Sequence, residues 1–284
     1  YAGEIAFDGT NAFIPFREGS DPDAPEDQIV KYAVSGGSIS ESDSATTGAN
    51  PFGVALSGGT LLVVNDDELD IFDTDLDLSA TVDLTAADDA DINDTDSTFV
   101  EGVAIDAATN RAFITNRRGK ILVVDLDDNT LSHVLSGTST TRGIASDGTF
   151  IYAVEGDPAS LLIFDPTQLS DSSSPDEVDD STLIVSVISL GANPNGLALD
   201  AANNRAYVTN TGDHSVSVID LILGEEIARI SLDEDDTEFD DCEDPFGIAV
   251  GTFDGVPFVF TANLGTNNIA VINANTLNVV EVFP

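Results

Sequence analysis

A glycine followed by alternating apolar residues recurs along this chain: "GVAL" at Gly53, "GVAI" at Gly102, "GIAS" at Gly143, "GLAL" at Gly196 and "GIAV" at Gly247, with "GEIAF" at Gly3 a looser copy. Successive glycines lie 50, 49, 41, 53 and 51 residues apart. A unit of that length cannot bury its apolar surface alone and must stack on its neighbours. Six units are therefore expected to share one architecture.

Each unit continues in the same way. A second run follows the glycine, as "NAFIPF", "LLVVND", "RAFITN", "FIYAVE", "RAYVTN" and "PFVFTAN". A third follows that, as "QIVKYA", "ELDIFD", "KILVVD", "SLLIFD", "SVSVID" and "NIAVIN". A fourth closes most units, as in "ATVDL", "LSHVL", "LIVSVISL", "EIARISL" and "VVEVF". The runs are short, rich in Val, Ile, Phe and Thr, and bounded by Gly, Asn, Asp and Pro, which reads as strands joined by tight turns. No amphipathic helix interrupts them. Four antiparallel strands per unit predict an all-β chain, a single β-propeller over residues 1–284 with six four-stranded blades. The blades fall at about 1–48, 49–98, 99–139, 140–191, 192–243 and 244–284.

The stretch from Asn193 to Leu232, "NPNGLALDAANNRAYVTNTGDHSVSVIDLILGEEIARISL", resembles the YVTN family of β-propeller repeats, whose tetrapeptide stands at Tyr207 to Asn210. The likeness is good at Gly102 to Leu135 and Pro245 to Phe283 and degenerate in the first and fourth units. Such propellers occur in surface-layer and other exported proteins of archaea and bacteria, so the resemblance implies a fold and a location more than a chemistry. Family propellers often have seven blades, and a seven-bladed ring with a missing unit is the alternative. The chain opens on an inner strand and ends on an outer one, so closure is expected to rest on packing between its first and last blades.

The repeated polar positions read as architecture. The glycine opening each inner strand lets backbones approach closely. Asp73, Asp125, Asp165, Asp220 and Asn273 end the third strands, where an Asx side chain bonds turn amides. Asn116, Asn210 and Asn263 end second strands and are expected to cap turns likewise. Arg111 and Arg205, each in an "NRA" turn, read as solvated or ion-paired.

Charge narrows the partners. Nine Lys plus Arg against 52 Asp plus Glu give a formal charge of −43, which repels phosphate backbones and anionic lipid headgroups. Nucleic acid and direct membrane insertion are excluded as expectations, and no apolar run reaches the length of a membrane helix. The single cysteine, Cys242, cannot form an internal disulfide. The first residue is Tyr1, not Met, so a leader or further upstream sequence is expected to have been removed or left out, and with the acidity this predicts an extracellular, periplasmic or cell-surface protein.

Propeller loops that enter the inner strand and that join the second strand to the third share one face. Mapped so, Glu101, Arg142 and Asn195 precede inner strands, while Arg17, Asp66, Arg117, Arg118, Glu155, Asn210 and His214 fall in the other loops. Arg17, Arg117, Arg118 and Arg142 are four of the nine basic residues, and Arg grips carboxylate or phosphate bidentately. The candidate ligand set is accordingly Arg17, Glu101, Arg117, Arg118, Arg142, Glu155, Asn195 and Asn210 around a central funnel, with a small anion as ligand. The competing reading has these arginines neutralise Glu101, Glu155 and Asp66.

No catalytic cluster emerges. Only His133 and His214 are present, which excludes a multi-histidine metal centre or a bis-histidine haem, and no nucleotide loop occurs. Calcium is the candidate ion: "DDADINDTDSTFVE" puts Asp89, Asp91 and Asn93 at alternating positions, as at the start of an oxygen-donor loop, against the reading of a solvated acidic loop. The function read from the chain is an exported, non-enzymatic interaction or assembly module, self-assembling or binding proteins at the cell surface and stabilised by calcium. The alternative is a lactonase-like hydrolase or small-anion binder using the funnel.

Overall fold

Alternating Val, Ile, Leu and Phe give a strand two faces, and where both faces are apolar the strand must be covered on both sides. The computed structural model describes residues 4–17, 27–85, 100–116, 118–136, 140–172, 175–232 and 242–284, and in these the runs form six antiparallel sheets. Blade 1 holds β1 (Ala6–Phe7), β2 (Asn11–Phe16), β3 (Gln28–Ser35) and β4 (Ser38–Thr46). Blade 2 holds β5 (Val54–Ser57), β6 (Thr60–Val64), β7 (Glu68–Asp73) and β8 (Leu78–Asp83). Blade 3 holds β9 (Val100–Asp106), β10 (Arg111–Asn116), β11 (Lys120–Asp125) and β12 (Thr130–Ser136). Blade 4 holds β13 (Thr141–Ser146), β14 (Ile151–Gly156), β15 (Ala159–Phe164) and, after β16 (Asp176–Asp179), β17 (Ile184–Ser189). Blade 5 holds β18 (Pro194–Asp200), β19 (Arg205–Asn210), β20 (Ser215–Asp220) and β21 (Glu225–Ser231). Blade 6 holds β22 (Pro245–Phe253), β23 (Val256–Asn263), β24 (Asn268–Asn273) and β25 (Asn278–Phe283). The fold is a six-bladed β-propeller.

Residues 1–141 and 166–183 form one compact unit, and residues 142–165 and 184–284 a second. In the first, blade 2 is buried on both faces. Leu62, Val64 and Ile71 pack on Ala112, Ile114 and Leu122 of blade 3, while Leu61, Val63 and Phe72 pack on Phe13 and Ile29 of blade 1. The second unit repeats the scheme around blade 5. Ala206, Val208 and Ile219 meet Tyr152, Val154 and Leu161 of blade 4, and Tyr207, Val216 and Val218 meet Val259, Ala270 and Ile272 of blade 6. Cys242 is buried in that last cluster.

The recurring glycine and the threonine of the second run answer one another. The register between β18 and β19 slips between Pro194 and Leu197, so Gly196 sits in a bulge whose amide has lost its ladder partner. Thr209 Oγ1 accepts that amide at 2.8 Å and donates to the carbonyl of Phe246 in the next inner strand at 2.9 Å. In blade 3, Gly102 N donates to Thr115 Oγ1 at 3.0 Å in the same way. The close approach explains why the position excludes a side chain. A Cβ at Gly143 would lie 2.6 Å from the carbonyl oxygen of Asn195, and one at Gly196 would strike the carbonyl oxygen of Phe246.

The turn residues behave as their chemistry dictates. Asp73 Oδ1 accepts from the amides of Asp75 and Asp77 at 2.8 and 3.0 Å, and Asp220 Oδ1 from those of Ile222 and Leu223, both at 2.9 Å. Asn273 does the same for Asn275 and Thr276. One element departs from the expected plan. The plan has four strands per blade, yet β16 adds to β12 as a fifth, parallel strand of blade 3, pairing His133 with Asp176 and Ser136 with Asp179.

Candidate functional site

Strand register brings the start of an inner strand beside the end of the second: Asn116 pairs with Val100 and Asn210 with Pro194. That is the geometry on which the expected ligand set depends, blade by blade. Arg17 follows β2 and is half-buried, and Arg118 follows β10 with its amide donating to Asn116 Oδ1 at 2.6 Å. Glu101 on β9 is 7% exposed. In the second unit Arg142 on β13 is half-buried and Asn195 on β18 is buried. Arg117 lies outside the described residues, as do the calcium candidates Asp89, Asp91 and Asn93.

Two members of the set hold the blade itself together. Glu155 accepts from Ser160 Oγ at 2.8 Å across the β14–β15 hairpin. Asn210 is fully buried, and its Nδ2 donates to Ser215 Oγ and Ser217 Oγ, both at 2.9 Å. Asn263 reaches Asn268 Oδ1 at 2.9 Å and Asn65 reaches Asp70 Oδ2 at 2.7 Å from equivalent positions. Asn210 and Asn263 therefore tie the second strand to the third, whereas Asn116 caps the turn after β10 as expected, by accepting from the Arg118 amide.

Glu4 is a functional candidate that sequence reasoning passed over. Its neighbours strip hydration from the carboxyl and push its pKa up to about 7; a bond from the Val54 backbone opposes this and the Glu101 charge adds to it. Water still reaches Glu4, which is exposed by area, so it is an accessible group that exchanges a proton near neutrality. The signal was present: Glu4 stands after its glycine where the other five copies carry Val, Ile or Leu. Glu4 and buried Glu101 together make an acidic pair in the first unit.

Three basic residues each reach a backbone carbonyl far along the chain. Arg205 Nη1 donates to the carbonyl of Ala274 at 2.6 Å, Lys31 Nζ to that of Thr74 at 2.7 Å, and Arg111 Nη1 to that of Leu169 at 3.2 Å. Each acceptor follows the third strand of the next blade. Arg111 is 4% exposed and ion-paired with Asp171 at 3.0 Å, the second of the two readings expected for it. The histidines form no catalytic relay. His214 Nδ1 accepts from the amide of Asp244 at 3.0 Å, while Ser215 Oγ donates to Asp213 Oδ1 at 2.6 Å. Among the described residues, no group of three or more His, Cys, Asp or Glu is placed to hold a metal ion.

No family model matches the chain, and no curated protein matches it. By structure, 1339 solved chains match, so the architecture alone selects no activity. One is the Kuenenia stuttgartiensis hydrazine synthase, with a TM-score of 0.66 and 16% identity, covering 95% of this chain and 82% of that one. The likeness is one of fold.

Proposed function

We propose that this chain is an interaction and assembly module of an exported or cell-surface protein, of the YVTN surface-layer type, whose acidic loops are ordered by calcium. The observation that carries this reading is where the repeated polar residues are used. Thr115 and Thr209 are engaged by the bulges, Asn210 and Asn263 by the third strands, and Arg111 and Arg205 by the neighbouring blade. A frame so self-contained leaves chemistry to its loops and edges, and propellers commonly present those to other proteins. The charge of −43 favours cationic or calcium-bridged partners over nucleic acid.

The test is light scattering with parallel thermal melts, titrating CaCl₂ and NaCl separately with chelator in matched samples. Assembly or a sharp rise in Tm at millimolar Ca²⁺, not reproduced by NaCl of equal ionic strength, supports the reading. A monomer indifferent to Ca²⁺ that binds a small carboxylate, and loses that binding in Arg142→Ala, replaces it with an anion binder.

A further inference from the structure

Blades meet one another through a repeated pairing of two unlike faces. The face presented to the following blade carries an aromatic residue of the second strand opposite an alanine of the inner strand: Phe13 opposite Ala6 in blade 1, and Tyr207 opposite Ala198 in blade 5. Both rings are fully buried, Phe13 against Leu61 and Val63 of blade 2 and Tyr207 against Val259 of blade 6. The face turned to the preceding blade carries the residues on either side of the aromatic position. Ala112 and Ile114 of blade 3 and Ala206 and Val208 of blade 5 hold those places, and all four are fully buried.

Blade 6 leaves its forward face largely uncovered, and blade 1 its backward face. Phe260 stands opposite Ala249 as Tyr207 does opposite Ala198, yet Phe260 is only half-buried and Ala249 is exposed. Phe253, 62% exposed, has its ring 6.0 Å from that of Phe260, and the paired Ile269 and Phe283 are 45% and 52% exposed on the same face. In blade 1, Ala12 and Ile14 occupy the places of Ala112 and Ile114 but are half-buried, and Phe7, paired with Ala12, is 55% exposed. On its three inner strands neither face carries a charged side chain, in a chain with 52 acidic residues. Copies of this chain repel one another through a charge of −43 each, but here a second copy buries apolar surface without opposing a like charge.

We propose that the forward face of blade 6 docks the backward face of blade 1 of a second copy, continuing between chains the packing that joins blades within each unit. The docking rests on the assembly reading above and not on its calcium. Each face specifies its occupant: blade 6 takes a sheet of small and branched residues, and blade 1 takes a sheet carrying an aromatic row. Because the two faces differ, the contact is head-to-tail. Each added copy brings one more free face, so growth continues as an open chain unless the rotation per copy closes it into a ring.

Sedimentation of the intact chain with chelator tests this, over about a hundredfold range of concentration and in about 1 M NaCl, where charge is screened within about 3 Å. The expected result is a mass that rises with concentration past the dimer. Phe253→Asp disables the face of blade 6 and Phe7→Asp that of blade 1, each by placing an unpaired carboxylate in the contact, and each variant alone should associate at least about tenfold more weakly. Mixed together, the two should form a one-to-one complex that grows no further, because one competent pair of faces remains. Both positions are exposed, so the variants should melt with the parent chain; Phe283→Asp and Phe7→Ser replace any that does not. A chain that stays monomeric at every concentration, its two faces satisfied by one another, overturns the proposal, as does a mixture that fails to pair. Calcium-dependent assembly that survives both substitutions overturns this docking and leaves the assembly reading standing. Assembly through these faces in chelator supports the docking whatever calcium does elsewhere.

Discussion

Arg205 in blade 5 donates to the carbonyl oxygen of Ala274 in blade 6 at 2.6 Å, joining two residues 69 positions apart. A charged donor on a carbonyl contributes about 1.5–3 kcal/mol. Arg205→Ala is expected to lose roughly that much in urea denaturation, with a lower midpoint and an unchanged slope. Arg229, 40% exposed and paired with Glu226 at 2.8 Å, is the contrast, and its alanine variant is expected to cost under about 1 kcal/mol. Equal losses at the two sites would contradict the assignment of Arg205 as a blade tie.

Gly196→Ala and Gly143→Ala press a methyl group into a neighbouring carbonyl, whereas at Gly247 the nearest atom is Ala262 Cβ at 3.6 Å, an ordinary contact. The first two are expected to destabilise by roughly 1–3 kcal/mol and to lower Tm, and Gly247→Ala to stay within about 0.5 kcal/mol. Melts of the three variants side by side decide this. A large loss at Gly247 alone would overturn the packing argument.

Thr209→Val preserves shape but leaves the Gly196 amide and the Phe246 carbonyl without the hydroxyl they share. Stranding such groups costs about 1–3 kcal/mol, more than the exchange of a hydroxyl for a methyl group would at an exposed site. Amide exchange should locate the damage, with the Gly196 amide accelerated while β20 retains its protection.

Glu4 is pushed up to about 7 by the hydration its neighbours remove from the carboxyl, with repulsion from Glu101 adding to it, so the folded state holds a proton that the unfolded chain has released. Its contribution to stability is full below the ordinary glutamate pKa and is lost as pH rises toward 7. The difference in Tm between Glu4→Gln and the parent chain should therefore shift in favour of the variant from pH 4.5 to 7.5. A carboxyl carbon NMR titration of Glu4 with a midpoint in the ordinary glutamate range would refute the assignment.

Where a structural cause was local, it was legible. The Gly-apolar spacing located all six inner strands, and the Asp or Asn ending a third strand accepted from two amides two to four residues on, as at Asp73 and Asp220. Asn210 misled because its partners, Ser215 and Ser217, reach it only when β20 folds back on β19. Glu4 was legible in principle as the one charge in an apolar column.

Periodicity by itself determined the blades, because a strand's alternation and its turn residues act over a few positions and repeat in every unit. The tertiary structure alone decided the rest. Arg111 meets carbonyls 58 and 59 residues away, and the acidic "DEVD" becomes a strand only because β12 lends it an edge. Hydrogen bonds and charges act across space, and their partners here lie further along the chain than any sequence pattern extends.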